Sequence, residues 1–401
     1  MLRPARYDGA RTLQKYQALE KASDALPARA SAAPVTVSFA DTVNPAGVVQ
    51  PACTLCGDCC SGCNVGAKNT VYLTYLHDAA AHGAHMFTGT TVDHIERVKN
   101  GWRINYRARN DGKTSVTVEA PIVILAAGTL GSTEILLRSQ ARGLALSERI
   151  GHGFSANGDI IAFGYGAREK VNAIGVGHPA KVKVDTVGAC VTGQVKLADT
   201  KRLEREMYLL EGAMPSPLAP LLPVAFIPGG RLLGAAQSLL KGVYKGPFAN
   251  LQGFFAVSHD EARGRIVLDR DRVDIDWADV ADQDVYARVD AVLEKLVSEN
   301  GGRYIKNPLA GTGMGNQPVT AHPLGGCGQG EDSDSGVINH KCQVFDPSSR
   351  PGGVHNGLYV CDGAIMPRSL GVNPLLTITA LAERAMIYLA QDRNLALSNA
   401  P

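Results

Sequence analysis

Apolar residues recur along this chain with two different periods. Between Asp282 and Asn300 they return at helical spacing, at Val285, Val289, Val292, Leu293 and Leu296, which predicts a helix with one buried face. A weaker amphipathic piece, Ala10–Ala25, predicts a short helix, and a further helix is read at Val71–His82. Elsewhere the runs are short and strand-like. Met86–Arg97 reads as a strand. Trp102–Ala108 and Thr114–Ala120 alternate about Asn110-Asp111-Gly112 and predict a hairpin. Pro121–Ala127 is continuously apolar, as for a strand buried on both faces. Gly128-Thr-Leu-Gly131 follows, with Ser132 as the expected cap of a helix through Arg138.

From Ile150 onward, strand-like pieces alternate with loops at Gly158–Gly164, Val182–Leu197, Glu206–Glu211 and Gly253–Ser258, then in a hairpin, Arg265–Trp277, around Arg270-Asp271. Near the end, Leu358–Cys361 is a short apolar run that stops at Asp362-Gly363. Pro374 then opens a helix through residue 389. Strands and helices interleave at both ends and strands dominate the middle, so the fold class is α/β (α+β).

Length and charge narrow the reading. At 401 residues the chain can bury a large core and form two domains. A net charge of +2 gives no charge argument for nucleic acid. Met1–Glu20 is charged throughout and lacks a signal-peptide pattern, which makes a cytoplasmic location the expectation. The most membrane-like window, Leu218–Leu240, is interrupted by Pro220, Pro223, Pro228 and Arg231, so no transmembrane segment is expected.

Four stretches carry candidate chemistry. His322 stands in a Gly/Pro-rich loop, where a side chain is presented rather than packed. It lies within some 50 residues of a strand-end Asp362-Gly363 and of Asn373 at a helix start, a grouping that suits redox or acid/base work. The strand–glycine–helix unit at 121–138 presents backbone N–H groups where a phosphate could sit. Glu211 ends an apolar run before a Pro-rich loop, and an acid that is costly to bury ionised is suited to proton transfer. Cys53, Cys56, Cys59 and Cys63 fit C-x2-C-x2-C-x3-C, whose thiolates can wrap an iron–sulfur cluster or zinc; a cysteine-rich turn is the alternative. Five cysteines within residues 53–63 are too crowded for a disulfide framework.

His322-Pro-Leu-Gly-Gly-Cys327, Asp362-Gly363, Asn373-Pro374 and Ala127-Gly-Thr-x-Gly-Ser132 resemble the signatures of the glucose–methanol–choline (GMC) oxidoreductases, and the His322 motif is most similar to their cholesterol-oxidase-type branch. The resemblance runs from about residue 50 to the end. It implies an FAD-dependent enzyme that oxidises CH–OH groups, with an apolar and sterol-like alcohol as substrate and oxygen or a redox partner as electron acceptor. It implies catalytic roles for His322, Asn373 and Glu211. It also places Val92, Gly128, Thr129, Gly131, Ser132, Asp362, Gly363, Asn373, Pro374 and Leu375 against FAD, with Asn64 and Lys68 near the flavin.

The implied architecture is an FAD-binding sheet domain from 51–150 and 319–401, interrupted by an antiparallel substrate domain at 151–318 and preceded by a linker region at 1–50. Such proteins carry a strand followed by Gly-x-Gly-x-x-Gly near their start. Here the nearest match is Gly151-His-Gly-Phe-Ser-Ala156, without a preceding apolar strand. The sheet domain is therefore expected to be N-terminally incomplete, as in a fragment, a gene-model error or one half of a split enzyme. Two alternatives remain open at this point: a dehydrogenase that passes electrons through a cluster at Cys53–Cys63, and an inactive or incomplete subunit.

Overall fold

Residues 4–108, 115–222, 242–306 and 318–397 are described by the computed structural model. The chain divides into two compact units, one of residues 1–85, 159–257 and 284–319, the other of residues 86–158, 258–283 and 320–401. These boundaries differ from the expected ones, and residues 151–158, expected in the substrate domain, fall in the second unit. Residues 1–85 belong with the predominantly antiparallel unit, and the hairpin near 270 belongs with the unit that holds His322.

In the first unit, helix α1 (Gln14–Ala22) buries Lys15, Tyr16, Leu19 and Ala22. Strand β1 (Ser31–Ala32) opens the edge of a six-stranded sheet, and the pair β2 (Thr42–Val43) and β3 (Val49–Gln50) stands apart from it. The helix expected at 71–82 forms as a 3-10 turn, Val71–Leu73, and a short helix α2 (Tyr75–Ala81) with no buried residue. The large sheet runs β1, β10 (Gly193–Leu197), β11 (Met207–Gly212), β12 (Gln252–Val257), β9 (Ile160–Tyr165) and β15 (Arg303–Lys306), every neighbour antiparallel. Only residues 193–197 of the strand expected at Val182–Leu197 join it. Gly188 turns the backbone to a positive φ of 96° and bridges Cys56 instead.

Among the helices the strongest sequence periodicity becomes α4 (Asp284–Glu299), which buries Val285, Tyr286, Val289, Leu293, Leu296 and Val297. Each fully buried Val or Leu on such a face contributes roughly 1.5–3 kcal/mol of transfer free energy. Ser216–Leu221 forms a 3-10 turn at the start of the oily Pro-rich stretch, whose continuation at 223–241 lies outside the described residues.

In the second unit, β4 (Thr90–Val98), β5 (Gly101–Ala108) and β6 (Ser115–Ala120) form an antiparallel sheet. The Asn110-Asp111-Gly112 turn of the predicted hairpin lies outside the described residues. Strand β7 (Val123–Leu125) runs parallel to β17 (Val354–Val360), which pairs antiparallel with β16 (Gln343–Phe345). Strand β8 (His152–Phe154) joins β13 (Gly264–Asp269) and β14 (Arg272–Asp276). Helices α3 (Gly128–Ala141) and α5 (Leu375–Asp392) complete this unit.

Its core gathers Trp102, Leu125, Leu136, Leu358, Tyr359 and Val360, and the Trp102 indole N–H donates to the Asn356 carbonyl at 3.1 Å. The run expected to be buried on both faces is buried on one: Leu125 is 5% exposed and Ile124 41%. Among the described residues β7 has β17 on one side and no strand on the other. No helix among the described residues is long and apolar enough to cross a membrane.

Candidate active site

Strand β17 delivers its last residues to a turn, and there Asp362 becomes a hub. Its Oδ1 accepts the Ala364 amide at 2.8 Å and so caps the 3-10 turn Gly363–Ile365. Its Oδ2 accepts the Gly128 amide at 2.9 Å and the Ser132 hydroxyl at 2.5 Å. Burial pushes the Asp362 carboxyl above its usual range, and these three hydrogen bonds work in the opposite direction. The end of β17 and the start of α3 are thereby held together.

Ser132 does not cap α3 as expected, because the helix already begins at Gly128. Its hydroxyl sits one turn in, accepting the Ala127 amide at 3.0 Å and donating to Asp362. The Thr129 hydroxyl donates to the Pro323 carbonyl at 2.6 Å, linking α3 to the His322 loop. A Cβ on Gly363 would stand 2.6 Å from that same Thr129 oxygen, so glycine there lets turn, helix and loop meet.

The His322 loop is a backbone structure. Leu324 and Ser155 exchange amide hydrogen bonds at 3.0 and 2.9 Å, Gly325 donates to the Gly363 carbonyl at 3.0 Å, and Cys327 donates to the Ala364 carbonyl at 2.8 Å. Gly325 has φ +86°, and a Cβ there would run into the Gly153 carbonyl. The half-buried His322 projects from this frame, with Nε2 3.2 Å from the exposed Asn373 Nδ2. An amide NH2 can only donate, so this pairing assigns Nε2 as an acceptor and the ring proton to Nδ1.

Asn373 is positioned through the backbone of the three residues before it. Asn157 donates from Nδ2 to the Val372 carbonyl at 3.0 Å, and its Oδ1 accepts the Leu370 and Gly371 amides at 2.8 and 3.2 Å. Asn157 is fully buried, with φ +56°. Ser155 accepts its amide at 3.0 Å and donates to Asp260 at 2.7 Å. Asn157 and Asp260 were not predicted from the sequence. The available signal was the Asn157-Gly158 pair, a common turn dipeptide that says nothing of a partner more than 200 residues away. The nearby Gly151–Ala156 stretch forms β8. Its Gly151 amide donates to the Gly326 carbonyl at 2.8 Å, so the segment supports the His322 loop.

Asn157→Ala removes all three grips on residues 370–372. It is expected to lower stability by about 1–3 kcal/mol, since buried backbone groups of that segment lose their partner. Thermal unfolding beside the parent protein checks this.

The residues of this unit fit a flavin dinucleotide. Helix α5 begins without a side-chain cap, whereas the first amide of α3 is already held by Asp362. Gly128 has φ +79° with open space where a Cβ would stand. Leu375 is 44% exposed at the start of α5, beside Pro374 and the His322–Asn373 pair. Val92 is half-buried in β4 against the core, at a register shift. Gly131 lies close to the Ala127 side chain.

Two predicted groups belong to the other unit. Glu211, on β11, is the buried partner of Lys15, at 2.8 Å from Oε1 and 2.7 Å from Oε2. Oε1 also accepts the Thr192 amide at 2.7 Å, the Gly193 amide at 2.8 Å and the Thr192 hydroxyl. The side chains of Lys15 and Glu211 are each 1% exposed. Both carboxylate oxygens are therefore engaged in a closed ion pair.

Cys53, Cys56, Cys59 and Cys63 do not form the expected cluster site. Among the described residues no three His, Cys, Asp or Glu side chains come together to hold a metal ion. The reason is local: Leu55, Gly57 and Gly62 have positive φ, Cys56 bridges Gly188, and the Asp58 carboxylate takes the Gly177 and Ser216 amides at 2.6 and 2.5 Å. The loop is folded around Asp58. The ammonium of Lys68 donates to the Cys59 carbonyl at 3.0 Å, and the Cys60 Sγ stands 3.1 Å from the Cys190 Sγ.

Two family models described as GMC oxidoreductase match residues 44–157 and 260–382, together more than half of the chain. A cholesterol oxidase of Mycobacterium tuberculosis (strain H37Rv) is 28% identical over 374 residues, covering 85% of this chain and 59% of that protein. A cholesterol oxidase of Acinetobacter baumannii is 27% identical, covering 88% and 64%. The long-chain-alcohol oxidase FAO4B of Arabidopsis thaliana is 22% identical, covering 82% and 45%. This chain thus spans less than two thirds of the length of each. Among solved structures, an FAD-dependent oxidoreductase from Chaetomium thermophilum matches 82% of this chain and 66% of its own, with a TM-score of 0.52 at 15% identity, a likeness of fold.

Proposed function

Because this chain belongs to the GMC oxidoreductase family, we propose that it carries the catalytic side chains of an FAD-dependent oxidoreductase acting on the CH–OH group of an apolar alcohol. The observation that carries this reading is the His322–Asn373 pair, 3.2 Å apart at the uncapped start of α5. A bound flavin supplies the hydride acceptor.

His322 takes the hydroxyl proton at Nε2, the ring nitrogen that the Asn373 pairing assigns as an acceptor. The Asn373 amide donates to the same oxygen and orients the alcohol. Thr129 and Asp362 keep the His322 loop and the start of α3 in register, so the accepting nitrogen does not wander. The N–H groups opening α5 suit the anionic parts of the cofactor.

The substrate class is proposed from the relatives. Cholesterol and long-chain alcohols share one hydroxyl on a large apolar body, and the substrate is proposed to be of that kind. Oxygen is the proposed electron acceptor, since these relatives are named oxidases.

The test is anaerobic reduction of the purified, FAD-loaded protein, followed by the visible flavin band. Cholesterol or a long-chain primary alcohol should bleach the band, and methanol should leave it. Bound flavin that none of the apolar alcohols reduces would overturn the proposal.

A further inference from the structure

We propose that Cys60 and Cys190 are a redox-active dithiol, which closes to a disulfide when a peroxide reaches Cys60. The proposal is independent of the function proposed above. It rests on how the first unit brings together two cysteines separated by 130 residues.

Their Sγ atoms stand 3.1 Å apart as free thiols. A disulfide needs about 2.0 Å, a closure on the order of 1 Å. The two sulfurs differ in access: Cys60 is exposed and Cys190 is 8% exposed. The buried member is firmly seated. Its thiol donates to the Ala213 carbonyl at 3.4 Å, its amide donates to the Cys59 Sγ at 3.4 Å, and its carbonyl accepts the Ala213 amide at 2.8 Å and the Lys15 ammonium at 3.2 Å. The exposed member rides on the turn that Asp58 organises, where Ser61 donates back to the Asp58 carbonyl at 3.1 Å. One sulfur is open to an oxidant and the other waits behind it. A two-step oxidation requires this arrangement of an attacking and a resolving thiol.

The chemistry balances. The Cys60 thiolate attacks one oxygen of hydrogen peroxide, the O–O bond breaks, and the departing hydroxide takes a proton to become water. Cys60 is left as a sulfenic acid. The Cys190 sulfur attacks the Cys60 sulfur, the S–O bond breaks, and the leaving hydroxide takes the Cys190 proton to form a second water. Two electrons pass from the two thiols to the peroxide. The product ties the 53–63 loop to the segment entering β10, two residues from the Thr192 that binds the Lys15–Glu211 pair.

The experiment treats the whole purified chain with excess hydrogen peroxide, alkylates it under denaturing conditions and maps its peptides by mass spectrometry. The expected result is loss of two alkylatable thiols out of nine, at Cys60 and Cys190, with one linked peptide pair that dithiothreitol reverses. Cys60→Ser should abolish the link. Cys190→Ser should strand Cys60 as a sulfenic acid that dimedone captures. The proposal is overturned if Cys190 stays fully alkylatable after oxidation, if Cys60 instead links to Cys53, Cys56, Cys59 or Cys63, or if dimedone fails to label Cys60 in the Cys190→Ser protein.

Discussion

His322→Ala is expected to lower turnover on an apolar alcohol by roughly 10²–10⁴, the usual contribution of a positioned acid/base group. The protein should stay folded and its flavin spectrum should not change. His322 is a half-buried side chain at the tip of its loop, and the hydrogen bonds that hold the loop are made by backbone atoms of Leu324, Gly325 and Cys327. Removing the imidazole leaves those bonds intact. It leaves Asn373 without its partner at 3.2 Å and the substrate hydroxyl without an acceptor. Stopped-flow flavin reduction separates this from a binding defect, because the loss should fall on the reduction step. An unchanged reduction rate would remove His322 from the proposed chemistry.

Lys15→Ala is expected to have the largest effect on stability, about 3–5 kcal/mol, because it strands a buried carboxylate without its counter-charge. Glu211 would keep the Thr192 and Gly193 amides but lose two contacts shorter than 3 Å. Pairing Lys15→Met with Glu211→Leu should recover much of the loss, since replacing both members of a buried pair by apolar groups is often neutral or stabilising. Thermal unfolding of the two variants beside the parent checks both statements. The same comparison tests the expectation that Glu211 is a second acid/base. A Glu211→Gln protein that unfolds at the parent temperature yet loses turnover would restore that role. A protein that is mainly destabilised would fix Glu211 as the partner of Lys15.

Much of the candidate site was legible along the chain because its signals are short-ranged. A histidine between glycines and a proline, a strand ending at Asp-Gly, and an Asn-Pro step opening a helix each depend on a few neighbouring residues, and the structure places these side chains in one unit. The α4 face was readable for the same reason, since a 3.6-residue period decides which side chains share one side.

Partners were not legible. Lys15 meets Glu211 across 196 residues, Asn157 grips residues 370–372 across more than 200, and Cys60 meets Cys190 across 130. No local pattern encodes such pairs. The spacing of Cys53, Cys56, Cys59 and Cys63 suggested a cluster, yet positive-φ residues and the Asp58 hydrogen bonds turn the loop another way. By itself the sequence determined which residues would be presented at turns and helix starts, because steric limits and turn chemistry act within a few residues. Only the tertiary structure decided which buried charges, amides and thiols answer one another, because those pairings depend on how distant segments pack.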